Sequence, residues 1–102
     1  MSFGNLAKMA QQMQAEMARV QGELETLTVQ GSAGGGAVMA TVTGKQELVS
    51  IAIDPDVVDP ADVEMLQDLV TAAVNDALRT ARSEAERRMA AITGGLRLPG
   101  LG

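Results

Sequence analysis

The chain has 102 residues, enough for one domain, with no histidine, cysteine, tryptophan or tyrosine and with Phe3 as its one aromatic residue. Thiolate and imidazole chemistry, zinc sites and disulfides are thereby excluded, and the core must be built from Leu, Ile, Val, Met and Ala, which at this size removes only about 60 to 65% of the unfolded surface from water and gains from a second copy. The net charge of −5 is unevenly spread: residues 44–76 set Lys45 against eight carboxylates, whereas residues 77–102 set five arginines against Glu84 and Glu86.

The first periodic segment runs from about Asn5 to Leu27. Leu6, Met9, Met13, Met17, Val20, Leu24 and Leu27 recur every three or four residues, the mark of a helix with one apolar seam. Methionines at that spacing are read as packing, since the thioether fills irregular gaps. At 100° per residue Lys8, Gln12 and Arg19 gather within about 40° of one another, away from the seam. They are donors on an outer face, either solvated or aimed at something anionic.

"LTVQG", "AVMATVTG" and "LVSIAID" are short β-rich runs bounded by glycine. They predict three strands in an antiparallel meander, with "GSAGGG" (31–36) joining the first two and "GKQ" (44–46) closing the second pair. Val38, Ala40 and Val42 alternate with Met39, Thr41 and Thr43, and Val49, Ile51 and Ile53 with Ser50, Ala52 and Asp54, as a sheet with one buried face requires. Three strands leave open edges, which calls for helices or another chain.

A second helix is expected to open at "DPAD", with Asp59 as N-cap, Pro60 in the first turn and Asp62 facing the positive end of the helix dipole. "IDPDVVDPAD" lacks the central Gly and downstream Glu of a calcium loop, so its acids are read as caps. The apolar pattern continues from Val63 through Val70, Ala77 and Ala85 to Ile92, and "TGG" at 93–95 is expected to stop it. Unbroken, about 33 residues would span about 50 Å, against a radius of gyration near 13 Å for a compact chain of this length. This helix must break, protrude or belong to a dimer. Arg79, Arg82, Arg87 and Arg88 surround its last turns as a positive tip.

No phosphate loop is present, because Gly44 and Lys45 are followed by Gln rather than Ser or Thr. The serines lack a histidine partner and no carboxylate pair shows catalytic spacing, so an enzyme, a cofactor and a metal site are all unexpected. No basic start followed by an apolar run marks a secretion signal, and no segment is long and apolar enough for a membrane span. The expected location is the cytoplasm.

The helix "NLAKMAQQMQAEMARVQGELETL", the strands ending "VSIAID", the stretch "MLQDLVTAAVNDAL" and the tail "TGGLRLPG" together resemble the YbaB/EbfC family of bacterial nucleoid-associated proteins. The most specific parts are residues 66–77 and the Gly-Gly-Leu-x-Leu-Pro-Gly of 94–100. The resemblance implies an α+β fold over residues 1–102, in the order helix, three-stranded antiparallel sheet, long helix, with a flexible tail at about 94–102. It also implies an intertwined homodimer with projecting helical prongs, located at the nucleoid. Its function would be to bind double-stranded DNA with little sequence preference, affecting chromosome organisation or gene expression. Carried onto this chain, the DNA contacts would be Lys8, Gln12, Arg19, Arg79, Arg82, Arg87 and Arg88, and Leu6, Met9, Met13, Met17, Val20 and Leu24 would form the core or dimer seam. The rival reading is a dimeric adaptor that docks replication or recombination proteins without touching DNA, which the net acidity favours.

Overall fold

A computed structural model of the chain describes residues 3–95. The elements are α1 (Phe3–Thr26), β1 (Thr28–Ala33), β2 (Val38–Thr43), β3 (Leu48–Ile53), a single 3-10 turn (Pro55–Val57) and α2 (Val63–Gly95). The strands form one antiparallel sheet in the order β1-β2-β3, the expected α+β meander between two helices. Residues 96–102, most of the expected tail, lie outside the described residues.

The first connection differs from expectation. Gly31, Ser32 and Ala33 continue β1, and the turn is confined to residues 34–37, where Gly34, Gly35 and Gly36 take positive φ. The reason is tertiary. Gly31 pairs with Ala40 on β2 beneath the ridge Ala73, Ala77 and Ala81 of α2, whose members repeat every fourth residue and are fully buried. A Cβ built on Gly31 would stand 2.1 Å from the Ala77 amide nitrogen and 2.6 Å from the Ala73 carbonyl oxygen. Only glycine lets the helix backbone come this near the strand.

Beneath the ridge, Val38, Ala40 and Val42 of β2 are fully buried, and Leu66, Leu69, Val70, Val74 and Leu78 close the core around them. The second hairpin turns at 44–46, where Thr43 and Glu47 share a 2.8 Å backbone hydrogen bond and Gln46 adopts φ 65.

The second helix begins three residues later than "DPAD" suggests. Asp59 Oδ1 accepts from the Ala61 amide at 2.9 Å in a preparatory turn, and Asp62 is the true N-cap, accepting from the Met65 amide at 3.1 Å. Both aspartates cap; the second has the free third amide of the helix opposite it. From there α2 runs 33 residues without a break.

Full burial in α1 is confined to its last turns. Val20 and Leu24 are buried, and a Cβ on Gly44 would meet the Leu24 carbonyl at 2.8 Å. Contacts along α2 climb from Ala73 and Ala77 at Gly31 to Arg88 at Glu23, so α2 runs antiparallel to β1 and α1. The molecule measures 70 × 26 × 16 Å with a radius of gyration of 19.8 Å, far beyond the compact value of about 13 Å.

Candidate nucleic-acid interface

Two helices carry the expected cations, and they treat them differently. On α1, Lys8 and Gln12 are exposed, and no carboxylate is paired with Lys8 among the described residues. Arg19 is engaged by its own helix, with Nη2 2.6 Å from Glu16 and Nη1 2.5 Å from Glu23. Its hydrogen bond lowers the Glu16 carboxyl below the usual range, and Glu16 in turn raises the guanidinium.

On α2, Arg79 and Arg82 face outward. Arg79 stands 3.9 Å from Asp76, and Asp76 already accepts the Ser32 amide of β1 at 3.0 Å. Arg82 is exposed with no carboxylate partner among the described residues. Arg87 is bound by both oxygens of Glu84, at 3.1 Å through Nε and 2.5 Å through Nη2. Arg88 turns inward: at 100° per residue it lies about 20° from the buried Ala77 and Ala81, while Arg79 is about 160° away. It donates to Glu84 at 2.9 Å and across to Glu23 of α1 at 3.0 Å. Two guanidinium donors on one carboxylate hold Glu84 down at about 2.

The tip therefore offers fewer free cations than its arginines suggest. Lys8, Arg79 and Arg82 are available to an anion; Arg19, Arg87 and Arg88 are each held by carboxylates. Glu84 at i−3 and i−4, and Glu16 and Glu23 around Arg19, have the spacing that pairs side chains on a helix, a signal that a sum of charges hides. Glu23, Asp76 and Glu84 are the residues that the sequence reading of the site missed.

The expected seam is only partly covered. Val20 and Leu24 are buried, Met9 and Met13 are half-buried, and Leu6 and Met17 remain 48% and 40% exposed. Strand β3 is exposed along all six residues, including Leu48 and Val49 at more than half their surface. No group of metal-binding side chains occurs among the described residues, and none of their helices is long and apolar enough to cross a membrane.

Long outward cations on projecting helices are the parts of a phosphate-binding surface. The sequence profile of the YbaB/EbfC DNA-binding family matches residues 1–96. The chain belongs to this family. Among YbaB/EbfC relatives, a nucleoid-associated protein of Moorella thermoacetica is 57% identical over 98% of this chain and 99% of its own length. One from Clostridium novyi is 56% identical over 99% of this chain and 89% of its own. The fold recurs in an uncharacterised protein of Helicobacter pylori, whose crystal structure superposes with a TM-score of 0.73 at 25% identity, covering 95% of this chain and 99% of that one. The expected family and its α+β architecture are thus both met.

Proposed function

We propose that this YbaB/EbfC chain is a bacterial nucleoid-associated protein of the cytoplasm that binds duplex DNA as a homodimer, with little sequence preference and no catalytic step. The observation that carries the DNA reading is the pair of exposed, carboxylate-free cations, Lys8 and Arg82, on two helices that project from the body. Arg79 stands beside them, Gln12 adds a hydrogen-bonding side chain, and Arg19 and Arg87 can join by exchanging a carboxylate for a phosphate. Contacts of this kind give affinity without reading bases.

The unequal sheet edges favour the dimer. Asp76 covers the β1 edge by accepting the Ser32 amide, whereas β3 presents an open edge with Leu48, Val49, Ile51 and Ile53 all exposed. A bare apolar edge strand is a template for a second chain. Leu6 and Met17 on α1 add apolar surface to the same demand.

A mobility-shift titration with random duplex tests the reading. Three available cations on each of two chains amount to about six phosphate contacts, so log affinity should fall with log salt at a slope of about −5. Different duplexes should compete within a few fold, and Arg82→Gln should weaken them all alike. A folded protein that shifts no duplex at low salt would overturn the proposal in favour of docking to replication or recombination proteins.

A further inference from the structure

We infer that Arg88 serves DNA binding as a positioning residue, a strut between the two helices clamped by Glu23 and Glu84, and not as a phosphate contact. The inference rests on the DNA-binding reading above and gives Arg88, which the family resemblance offered as a DNA contact, a different role.

The geometry carries it. Arg88 spends Nη1 on Glu23 of α1 at 3.0 Å and Nε on Glu84 of its own helix at 2.9 Å. Its side chain is only 28% exposed, against 66% for Arg79 and 73% for Arg87. Among the described residues no other ion pair joins α1 to α2. It also stands where leverage is greatest. The fully buried part of α1 ends with Val20 and Leu24; beyond them Met13 and Met9 are only half-buried, and Met17, Leu6 and Phe3 stand at 40%, 48% and 92% exposure.

From Glu23 to Lys8 is about 22 Å along the helix. A tilt of about 10° at Glu23 carries Lys8 about 4 Å, more than the 3.4 Å axial step between phosphates of one strand. Arg82 lies about 9 Å from Arg88 on the stiff α2 and does not move with it. The strut thus sets the spacing between Lys8 on one helix and Arg79 and Arg82 on the other. Glu84 serves it by aligning the guanidinium, since one planar fork satisfies both carboxylates.

The roles predict opposite signs. Were Arg88 a phosphate contact masked by its carboxylates, removing one would free a cation, take a negative charge from the interface and tighten binding. With a strut, Glu23→Gln loosens α1 and weakens binding although the chain becomes less acidic. At about 0.1 M salt the expected loss is five- to tenfold, the worth of about one phosphate contact. Glu86→Gln removes an exposed carboxylate that bridges no helices, and should bind slightly tighter than the parent. Glu23→Gln must still fold, as read by circular dichroism. Equal or tighter binding by a folded Glu23→Gln would overturn the inference.

A second measurement needs no DNA, so failure of the strut is separable from failure of the DNA reading. The chain has no cysteine, so spin labels can be placed at Gln11→Cys and Ser83→Cys, two exposed sites outside the proposed contacts. Labelled chain diluted into unlabelled chain reports one α1-to-α2 distance. Glu23→Gln and Arg88→Gln should each broaden that distance distribution at least about twofold relative to the parent, as expected when an ion pair holding two surface helices is lost. An unchanged distribution in both would refute the strut, whatever the titration shows.

Discussion

Replacing Gly31 by alanine is the sharpest test of how helix and sheet meet. The added carbon would lie 2.1 Å from the Ala77 nitrogen and 2.7 Å from its Cα, whereas nonbonded carbon contacts settle at about 3.5 to 4 Å. Both obstacles are helix backbone, so no rotamer change relieves them, and α2 must lift by roughly 1.3 Å or more. A gap of 0.5 to 1 Å already forfeits about a quarter to a half of each dispersion contact. The contacts at stake join Ala73, Ala77 and Ala81 to Val38, Ala40 and Val42, all of them fully buried. Overpacking costs about 1 to 3 kcal/mol where side chains can yield; with backbone on both sides the upper end applies. At about 4 to 8 °C per kcal/mol for a chain of this size, Gly31→Ala should melt about 10 to 20 °C below the parent. Thermal unfolding is followed by far-ultraviolet circular dichroism at one fixed protein concentration, because a dimer's midpoint depends on concentration. Gly35→Ala is the control: nothing lies within 4 Å of its Cβ but its φ is +67, so it should lose only the roughly 1 kcal/mol of a left-handed residue. A Gly31→Ala midpoint within about 2 °C of the parent would mean that α2 does not rest on β1 as described.

At the open sheet edge, Ile51→Lys should convert the proposed dimer to monomers. Light scattering would then fall from about twice 10.6 kDa to that mass, and an unchanged dimer would place the interface elsewhere. Acid should reveal the Glu84 clamp: its folded carboxyl, held at about 2, lies below its unfolded range, so its contribution is full above about pH 4.5 and disappears as the pH falls towards 2. The melting difference between parent and Glu84→Gln should accordingly be constant near neutrality and shrink through that window; a constant gap down to pH 2 would contradict the clamp.

The elements that the sequence disclosed are those whose signals are local. The three- and four-residue spacing from Leu6 to Leu27 marks α1 because a helix repeats on that period, and Val38, Ala40 and Val42 mark a buried strand face because a strand alternates. Gly31 misled because glycine beside "SAGGG" has the composition of a loop; what keeps it in β1 is the approach of Ala77, 46 positions downstream, which no local pattern announces. Asp59 and Asp62 are equally good caps, and only the amide opposite the second separates them. In the candidate site, the Glu84 pairings were legible from spacing, but the partner that turns Arg88 inward is 65 residues away on α1.

The placement of the carboxylates reconciles an acidic chain with a polyanionic ligand. Asp54, Asp56, Asp59, Asp62 and Glu64 cluster around the start of α2, where Asp54, Asp59 and Asp62 accept backbone amides. From Glu64 to Arg82 is 18 residues of unbroken helix, about 27 Å, or some three Debye lengths at physiological ionic strength. The acidic end is therefore largely screened from whatever Arg82 touches, and the net charge of −5 misstates the field at the prongs. Screening weakens as salt is removed: near 0.01 M the Debye length grows to about 30 Å, and the acidic end begins to repel the same phosphates that Lys8, Arg79 and Arg82 attract. The slope of about −5 thus belongs to salt near 0.1 M, and the log-log plot should flatten below it. A basic protein with the same number of contacts would instead keep gaining affinity as salt is withdrawn.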